Sequence, residues 1–173
     1  MDYSFLEKEK APKLLVEAYK LLGVKEILGK ENNPTILRWA DKIGLKNEYR
    51  ADEIPWCGLF MAYVCHMSGK KPAVNPLWAR NWLNFGTIQT KAMLGDVLIF
   101  KRGEKSGHVG IYVGEDDECY HVLAGNQGDE VSIKRMEKAR CIGIRRTDWK
   151  IAQPANVRVI ELASNEQVSQ NEI

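Results

Sequence analysis

The spacing of apolar residues changes near Gly95 and divides the chain into two regions. Before Gly95, apolar residues recur every three to four positions, which is typical of amphipathic helices. Glycines and prolines bound these stripes and predict helices over about 12–22, 33–43 and 55–68, with a shorter fourth over about 77–85. After Gly95 the pattern alternates with period two and predicts strands. They cover Asp96–Arg102, His108–Gly114, Cys119–Gly125, Glu130–Met136 and Arg140–Arg146.

The order of these elements indicates the fold class. Short polar turns between the strands imply antiparallel neighbours, and helices followed by a run of strands form the α+β pattern. A length of 173 residues fits one domain. We expect that domain over residues 1–150, with a partly flexible C-terminal extension over 151–173. Within the extension, Val157–Leu162 is a candidate edge strand.

The charge and composition of the chain indicate which kinds of binding partner are not expected. A net charge of +2 is too small to indicate nucleic-acid binding. No segment approaches the ~18 apolar residues that span a membrane, and the N-terminal residues lack the apolar region of a signal peptide. The four cysteines contain no CxxC pair, so a zinc site is not expected. The sequence therefore predicts a protein made in the cytoplasm that neither binds nucleic acid nor inserts into membranes.

Cys57 stands at the start of the third predicted helix, directly after Pro55 and Trp56. Free N–H groups and the positive end of the helix dipole favour an anion there, so the pKa of this thiol is expected to be lowered. The same N–H groups can stabilise an oxyanion during acyl transfer. Cys57 is thus a candidate nucleophile, with a buried structural cysteine as the alternative. Cys65, inside the same helix, is interpreted as a core residue.

A nucleophilic thiol needs a base, and the chain has three histidines. His66 shares the helix of Cys57 but lies about 13 Å along its axis, too far to reach the sulfur. His108 and His121 fall at opposite ends of one predicted hairpin. With its turn centred in the segment GEDDE, paired residue numbers sum to about 234, which places His108 opposite Asn126. An amide there can hold an imidazole in its catalytic tautomer. A structural histidine and a turn asparagine are the alternatives.

Five segments, taken in this order, carry a family resemblance: PWCGLFMAYV, ARNWLNFG, GDVLIFKR, GHVGIYVGE and LAGNQGDEVSI. They resemble the papain-like peptidoglycan hydrolases of the NlpC and CHAP (cysteine, histidine-dependent amidohydrolase/peptidase) class, closest to its phage- and prophage-associated branch. The resemblance runs from about Gly23 to Arg146. It implies a papain-like α+β fold, in which N-terminal helices carrying the nucleophile pack on an antiparallel sheet of five to six strands carrying the base.

The resemblance also implies residue roles. Cys57 takes the position of the nucleophile, His108 that of the base and Asn126 the third, polar position. Related CHAP enzymes often carry a glutamate two residues before this asparagine, where this chain has Ala124. The implied activity is endolysin-like cleavage of an amide bond in the wall peptide, as an amidase or an endopeptidase, with no metal and no organic cofactor.

Trp56, Trp78 and Glu26 are the candidate substrate-binding residues. The expected partner is bacterial peptidoglycan, bound by a monomer that reaches the wall after release from the cell, in a virion or by injection. One alternative is a cysteine peptidase or acyltransferase of the same fold with another substrate. The other is a non-catalytic phage structural or wall-binding protein. The sequence leaves open which peptidoglycan bond would be cut.

Overall fold

A computed structural model describes residues 3–29, 31–149, 152–163 and 167–169. Its helices are α1 (Phe5–Lys8), α2 (Lys13–Tyr19), α3 (Pro34–Lys42) and α4 (Cys57–Ser68), with short 3-10 helices over Ala79–Asn84 and Lys138–Arg140. Its strands are β1 (Thr87–Ile88), β2 (Val97–Arg102), β3 (Ser106–Glu115), β4 (Cys119–Ala124), β5 (Ser132–Glu137) and β6 (Cys141–Arg146). The α+β class is therefore confirmed.

The helix boundaries follow the local signals in the sequence. Asn33 caps α3 by accepting a hydrogen bond from the Thr35 N–H at 2.8 Å, and α4 ends at Gly69, which has a left-handed φ of 70°. The fourth predicted helix is a 3-10 helix over Ala79–Asn84. Helix α1, with four residues, is too short to give a periodic pattern and was not predicted.

The six strands form one antiparallel sheet in the order β1-β6-β2-β3-β4-β5. All five predicted strands are present within two residues of their expected ends. Strand β1 has only two residues and escaped prediction. The candidate edge strand Val157–Leu162 is not a regular strand, and it meets the sheet through a single parallel bridge between Glu115 and Glu161.

Each face of the sheet has its own apolar cluster. Helices α2 and α4 pack on one face, where Val109, Ile111 and Val113 of β3 join the larger core. The opposite face carries a second cluster that includes Phe100 and Tyr112. Alternation along β3 assigns His108 to the face of Tyr112. His108, the candidate base, and helix α4, which carries the candidate nucleophile, therefore lie on different faces of the sheet.

The described part of the C-terminal extension lies against the domain. Val157 and Ile160 are buried, and the Leu94 N–H donates to the Arg158 carbonyl at 2.9 Å. Arg158 also forms an ion pair with Glu9 at 2.8 Å. The rest of this predicted flexible extension, residues 151, 164–166 and 170–173, lies outside the described residues. In the part of the chain that the structure describes, no helix is long and apolar enough to cross a membrane.

A buried polar network occupies the end of the β3–β4 hairpin that is remote from His108. Asp116 accepts hydrogen bonds from His121 Nε2 at 2.8 Å and from Arg135 Nε at 2.7 Å, and Tyr3 Oη contacts His121 Nδ1 at 2.8 Å. Arg135 above all holds the pKa of Asp116 well below its usual range. Burial lowers the pKa of His121, which keeps its ring neutral at neutral pH.

We expect Asp116→Asn to lower the free energy of unfolding by about 3–5 kcal/mol at pH 7, because it removes the carboxylate that accepts two hydrogen bonds from the buried Arg135. Folding lowers both pKa values. The contribution of His121 is fully present above its unfolded pKa of about 6.5, and that of Asp116 is fully present above its unfolded pKa of about 4 and is lost as the pH falls from there toward the much lower folded pKa. Urea titrations at pH 7 and at about pH 2.5 measure this, with Asp117→Asn on the exposed neighbour as the control. A gap between wild type and Asp116→Asn that is the same at both pH values would contradict the assignment.

Candidate active site

Cys57 is the first residue of α4 and is almost fully buried, with 4% of its surface exposed. The Phe60 N–H donates to the Trp56 carbonyl at 2.9 Å, which makes Trp56 the N-cap residue. A Cβ on Gly58 would collide with the backbone of Pro76 and Leu77, so only glycine permits this segment to cross the first turn of the helix. The segment 76–77, which leads directly to Trp78, therefore packs against the first turn of α4.

Burial and the groups around the Cys57 sulfur act on the pKa of its thiol in opposite directions. Burial raises the pKa of the Cys57 thiol, and hydrogen bonding from the backbone N–H groups of Val109 and Gly58 together with the charge of Arg102 lowers it. Burial is the largest of these effects, so the net pKa is raised. The expectation that the helix N-terminus lowers this pKa is wrong, because the donors do not offset the loss of water. The resting residue is a neutral thiol.

We expect Cys57 in the resting protein to react with iodoacetamide more slowly than a free cysteine of pKa ~8.5, at every pH from 6 to 8.5. Both the raised pKa and the burial oppose reaction. Peptide mapping with mass spectrometry gives the rate for each cysteine, and the same protein in urea supplies the unperturbed rate for Cys57. Rapid labelling of Cys57 at pH 6 would show instead that the resting site holds a thiolate.

The contact with Val109 is possible because the β-ladder opens at this point. The Tyr112 N–H donates toward β2, to the Asp96 carbonyl, so alternation directs the N–H of Val109 toward β4. Strand β4 ends at Ala124, one residue short of the position opposite Val109. The sulfur of Cys57 occupies this gap and takes the place of a ladder acceptor. It thereby reaches the plane of the sheet, next to the backbone of His108.

The register of the hairpin bears on the predicted pairing of His108 with Asn126. Ile111 pairs with Leu123 and Tyr112 with Val122, so the paired numbers sum to 234 in this part of the hairpin. Strand β4 ends at Ala124, before it reaches a partner for His108, so the pairing of His108 with Asn126 stays a prediction. A bulge after Tyr112 shifts the pairing at the other end, so that His121 pairs with Gly114 and not with Val113. His108 and Asn126 are both buried. Asn126 follows the end of β4 with a left-handed φ of 60°.

The loop that carries Asn126 packs directly on the residue before the nucleophile. A Cβ on Gly125 would lie 2.6 Å from the ring atoms Cε3 and Cζ3 of Trp56, so glycine is required for this approach. The loop is anchored by Gln127, whose Nε2 donates to the carbonyls of Val122 and Ser132 at 3.1 and 2.6 Å. The loop that contains Asn126 therefore contacts Trp56, the residue that precedes the candidate nucleophile.

Gln127 is a residue that the sequence pattern did not single out. It is fully buried, and its Oε1 makes no hydrogen bond with the residues that the structure describes. Beside Asn126 the site thus contains a second amide with an acceptor oxygen available. A segment such as GNQG indicates only a turn, so the sequence gives no signal that this glutamine is buried.

Two arginines near the base were also missed. Arg102, the last residue of β2, is the cation that acts on the Cys57 thiol. Arg80 donates from Nε to the Ser106 carbonyl at 2.9 Å and from Nη2 to the Gly103 carbonyl at 2.8 Å. These bonds hold the β2–β3 turn just before His108. Charged residues at the end of a strand normally indicate a solvated turn, and only the folded chain shows what they contact.

The three candidate substrate-binding residues lie in different environments. Trp78 is 69% exposed and directly follows the segment 76–77, which packs against the first turn of α4. Trp56 is fully buried and donates from its indole Nε1 to Glu26 Oε2 at 3.0 Å. Burial raises the pKa of Glu26, and the indole donor partly opposes it. Of the three, Trp78 is the one placed to meet a ligand from solvent.

The sequence was compared with protein-family models and with curated proteins, and neither comparison found a match. The resemblance to NlpC and CHAP hydrolases therefore remains a prediction that depends on the quoted motifs. Within the described ranges, no group of three His, Cys, Asp or Glu side chains is arranged to hold a metal ion.

Proposed function

We propose that this protein is a cysteine-dependent hydrolase that cleaves an amide bond in the peptide part of bacterial peptidoglycan. The observation that carries the proposal is the position of the Cys57 sulfur at the open end of the β3–β4 ladder. There it accepts a hydrogen bond from the Val109 N–H, and Val109 directly follows His108 in β3. A core cysteine needs none of these neighbours. The choice of peptidoglycan as substrate comes from the sequence resemblance.

In the proposed reaction, His108 accepts the proton of the Cys57 thiol while the sulfur attacks the scissile carbonyl. The backbone N–H of Cys57 at the helix N-terminus stabilises the resulting oxyanion. His108 then donates the proton to the leaving amine, and a thioester joins Cys57 to the acyl part of the wall peptide. Water, deprotonated by His108, hydrolyses the thioester and regenerates the thiol. Asn126 orients the imidazole throughout.

The raised pKa of Cys57 makes the base essential. A resting thiolate would need no proton acceptor, whereas a neutral thiol must lose its proton as it attacks. The site would therefore operate with a neutral nucleophile and a neutral base, in the manner of a serine hydrolase. Substrate access would require groups that pack on Cys57 to move aside, because only 4% of its surface is exposed.

The burial of the thiol is also the observation that favours the non-catalytic alternative. Cys57, His108 and Asn126 each expose 4% or less of their surface, as expected for core residues of a structural or wall-binding protein. The two functions differ in whether bonds are broken.

Incubation of the purified protein with cell walls, followed by mass spectrometry of the soluble fraction, tests the proposal. We expect new amino and carboxyl termini at a single type of amide bond, and their loss after alkylation of the protein. The masses of the fragments also identify the bond. Binding to walls without any released fragment, at all enzyme concentrations, would favour the non-catalytic alternative.

A further inference from the structure

Glu26 connects the two sides of the candidate site, although it belongs to neither. Its side chain accepts the indole N–H of Trp56 at 3.0 Å, and its backbone N–H donates to the Asp129 carbonyl at 2.9 Å. Trp56 immediately precedes the nucleophile, and Asp129 belongs to the loop that begins with Asn126. Glu26 therefore makes one hydrogen bond to the residue before helix α4 and one to the loop that contains Asn126.

The loop of Glu26 is itself held rigidly. Val131 and Val24 form a backbone hydrogen bond of 2.8 Å, and Lys25 and Glu130 form a backbone bridge. The ion pair between the side chains of Lys25 and Glu130, at 2.9 Å, contributes little to this support because the Lys25 side chain is 68% exposed. On the other side, the buried Asp52 accepts the backbone N–H of Ile27 at 3.0 Å. A carboxylate on such a support can hold the Trp56 ring in one orientation.

The ring of Trp56 connects the position of Glu26 to the positions of Cys57 and Asn126. Its six-membered edge touches Gly125, and its indole lies 6.0 Å from the ring of Trp39, centroid to centroid. Rotation of the ring would press on Gly125 and displace Asn126, or move the backbone of Cys57. Since reacting groups must be held to within a fraction of an ångström, such a displacement slows the reaction without removing any reacting atom.

We propose that Glu26 is a positioning residue that acts through Trp56 to hold the Cys57 thiol and the Asn126 loop in register. This inference depends on the proposed hydrolase function. It gives the carboxylate the role of a hydrogen-bond acceptor and not that of a charge or a substrate contact. Glutamine at position 26 can accept the same bond, whereas leucine cannot.

The test compares Glu26→Leu, Glu26→Gln, Trp56→Phe and the Glu26→Leu/Trp56→Phe double variant, with Glu130→Gln as the matched control in the same loop. We expect Glu26→Leu to lower kcat about 10- to 100-fold on soluble wall fragments, with KM changed less than about 3-fold. Glu26→Gln and Glu130→Gln should stay within about 3-fold of wild type. Trp56→Phe should resemble Glu26→Leu, and the double variant should be no slower than the slower single variant.

An NMR signal provides a readout that does not depend on turnover. The indole N–H resonance of Trp56, identified by its loss in Trp56→Phe, should shift in Glu26→Leu and remain close to wild type in Glu130→Gln. If Glu26→Leu fails to fold, Trp56→Phe still removes the same hydrogen bond and keeps an aromatic ring at position 56.

Several results would overturn the inference. They are wild-type kcat in Glu26→Leu, equal losses in Glu26→Leu and Glu26→Gln, additive effects in the double variant, a change confined to KM, or an unmoved indole resonance. Failure of the hydrolase function is a different outcome: the wild type would then release no fragments, or Cys57→Ala would release as many as the wild type, while the indole resonance still responded to Glu26→Leu.

Discussion

Cys57→Ala is expected to reduce the release of wall fragments by about 10⁴-fold or more while the protein remains folded. The substitution removes the sulfur that would form the thioester, and it takes only this one small group from the larger core, to which Cys57 belongs. The loss of a small buried group costs on the order of 1 kcal/mol of stability. Initial rates on purified walls, with thermal unfolding of the same samples, measure both effects.

Cys65→Ala is the matched control for this prediction. Cys65 is fully buried on the same helix, and burial raises the pKa of its thiol to about 12. It lies two turns beyond the helix N-terminus and has no base nearby in the proposed mechanism. We expect a similar cost in stability and near wild-type turnover. A folded Cys57→Ala protein with full activity would exclude the thiol mechanism.

His108→Ala is expected to have the second largest effect, a loss of about 10³- to 10⁴-fold in kcat, because the proposed reaction uses this residue as both base and acid. Asn126→Ala should cost less, about 10- to 1000-fold, since it loosens the orientation of the ring and removes no proton carrier. Rates are measured on purified walls with circular dichroism matched between variants.

His121→Gln separates the two histidines of the hairpin. His121 pairs with Gly114, which lies about 20 Å along β3 from His108. Its ring is enclosed by Asp116 and Tyr3, so we expect the variant to lose stability and to keep its turnover per folded molecule. An active His108→Ala together with an inactive, well-folded His121→Gln would contradict the assignment of the base.

Much of the fold could be predicted because local signals and periodicity agree. Asn33 and Gly69 mark helix ends in the sequence, and they do so in the structure. The pairing sum near 234 holds for Ile111 with Leu123 because a short turn fixes the register of a hairpin. It fails beyond Tyr112, since a β-bulge leaves no clear mark in the sequence.

The environment of the candidate site could not be predicted in the same way. The raised pKa of Cys57 comes from its burial, which depends on tertiary packing. The same holds for Glu26, whose partner Trp56 lies 30 residues away. Periodicity assigns a residue to a face of its own element, but it does not say what packs against that face. The papain-like topology and the catalytic roles accordingly rest on the resemblance and on the proposal.

The most direct test of the central claim measures wall hydrolysis as a function of the fraction of Cys57 that is alkylated. The protein is alkylated to increasing extents, and each sample is divided between a wall-digestion assay and peptide mapping of the four cysteines. If Cys57 is the nucleophile, the remaining activity equals the fraction of Cys57 that is unmodified, whatever the labelling of the other three. Undiminished release of fragments by protein whose Cys57 is fully alkylated would contradict the account.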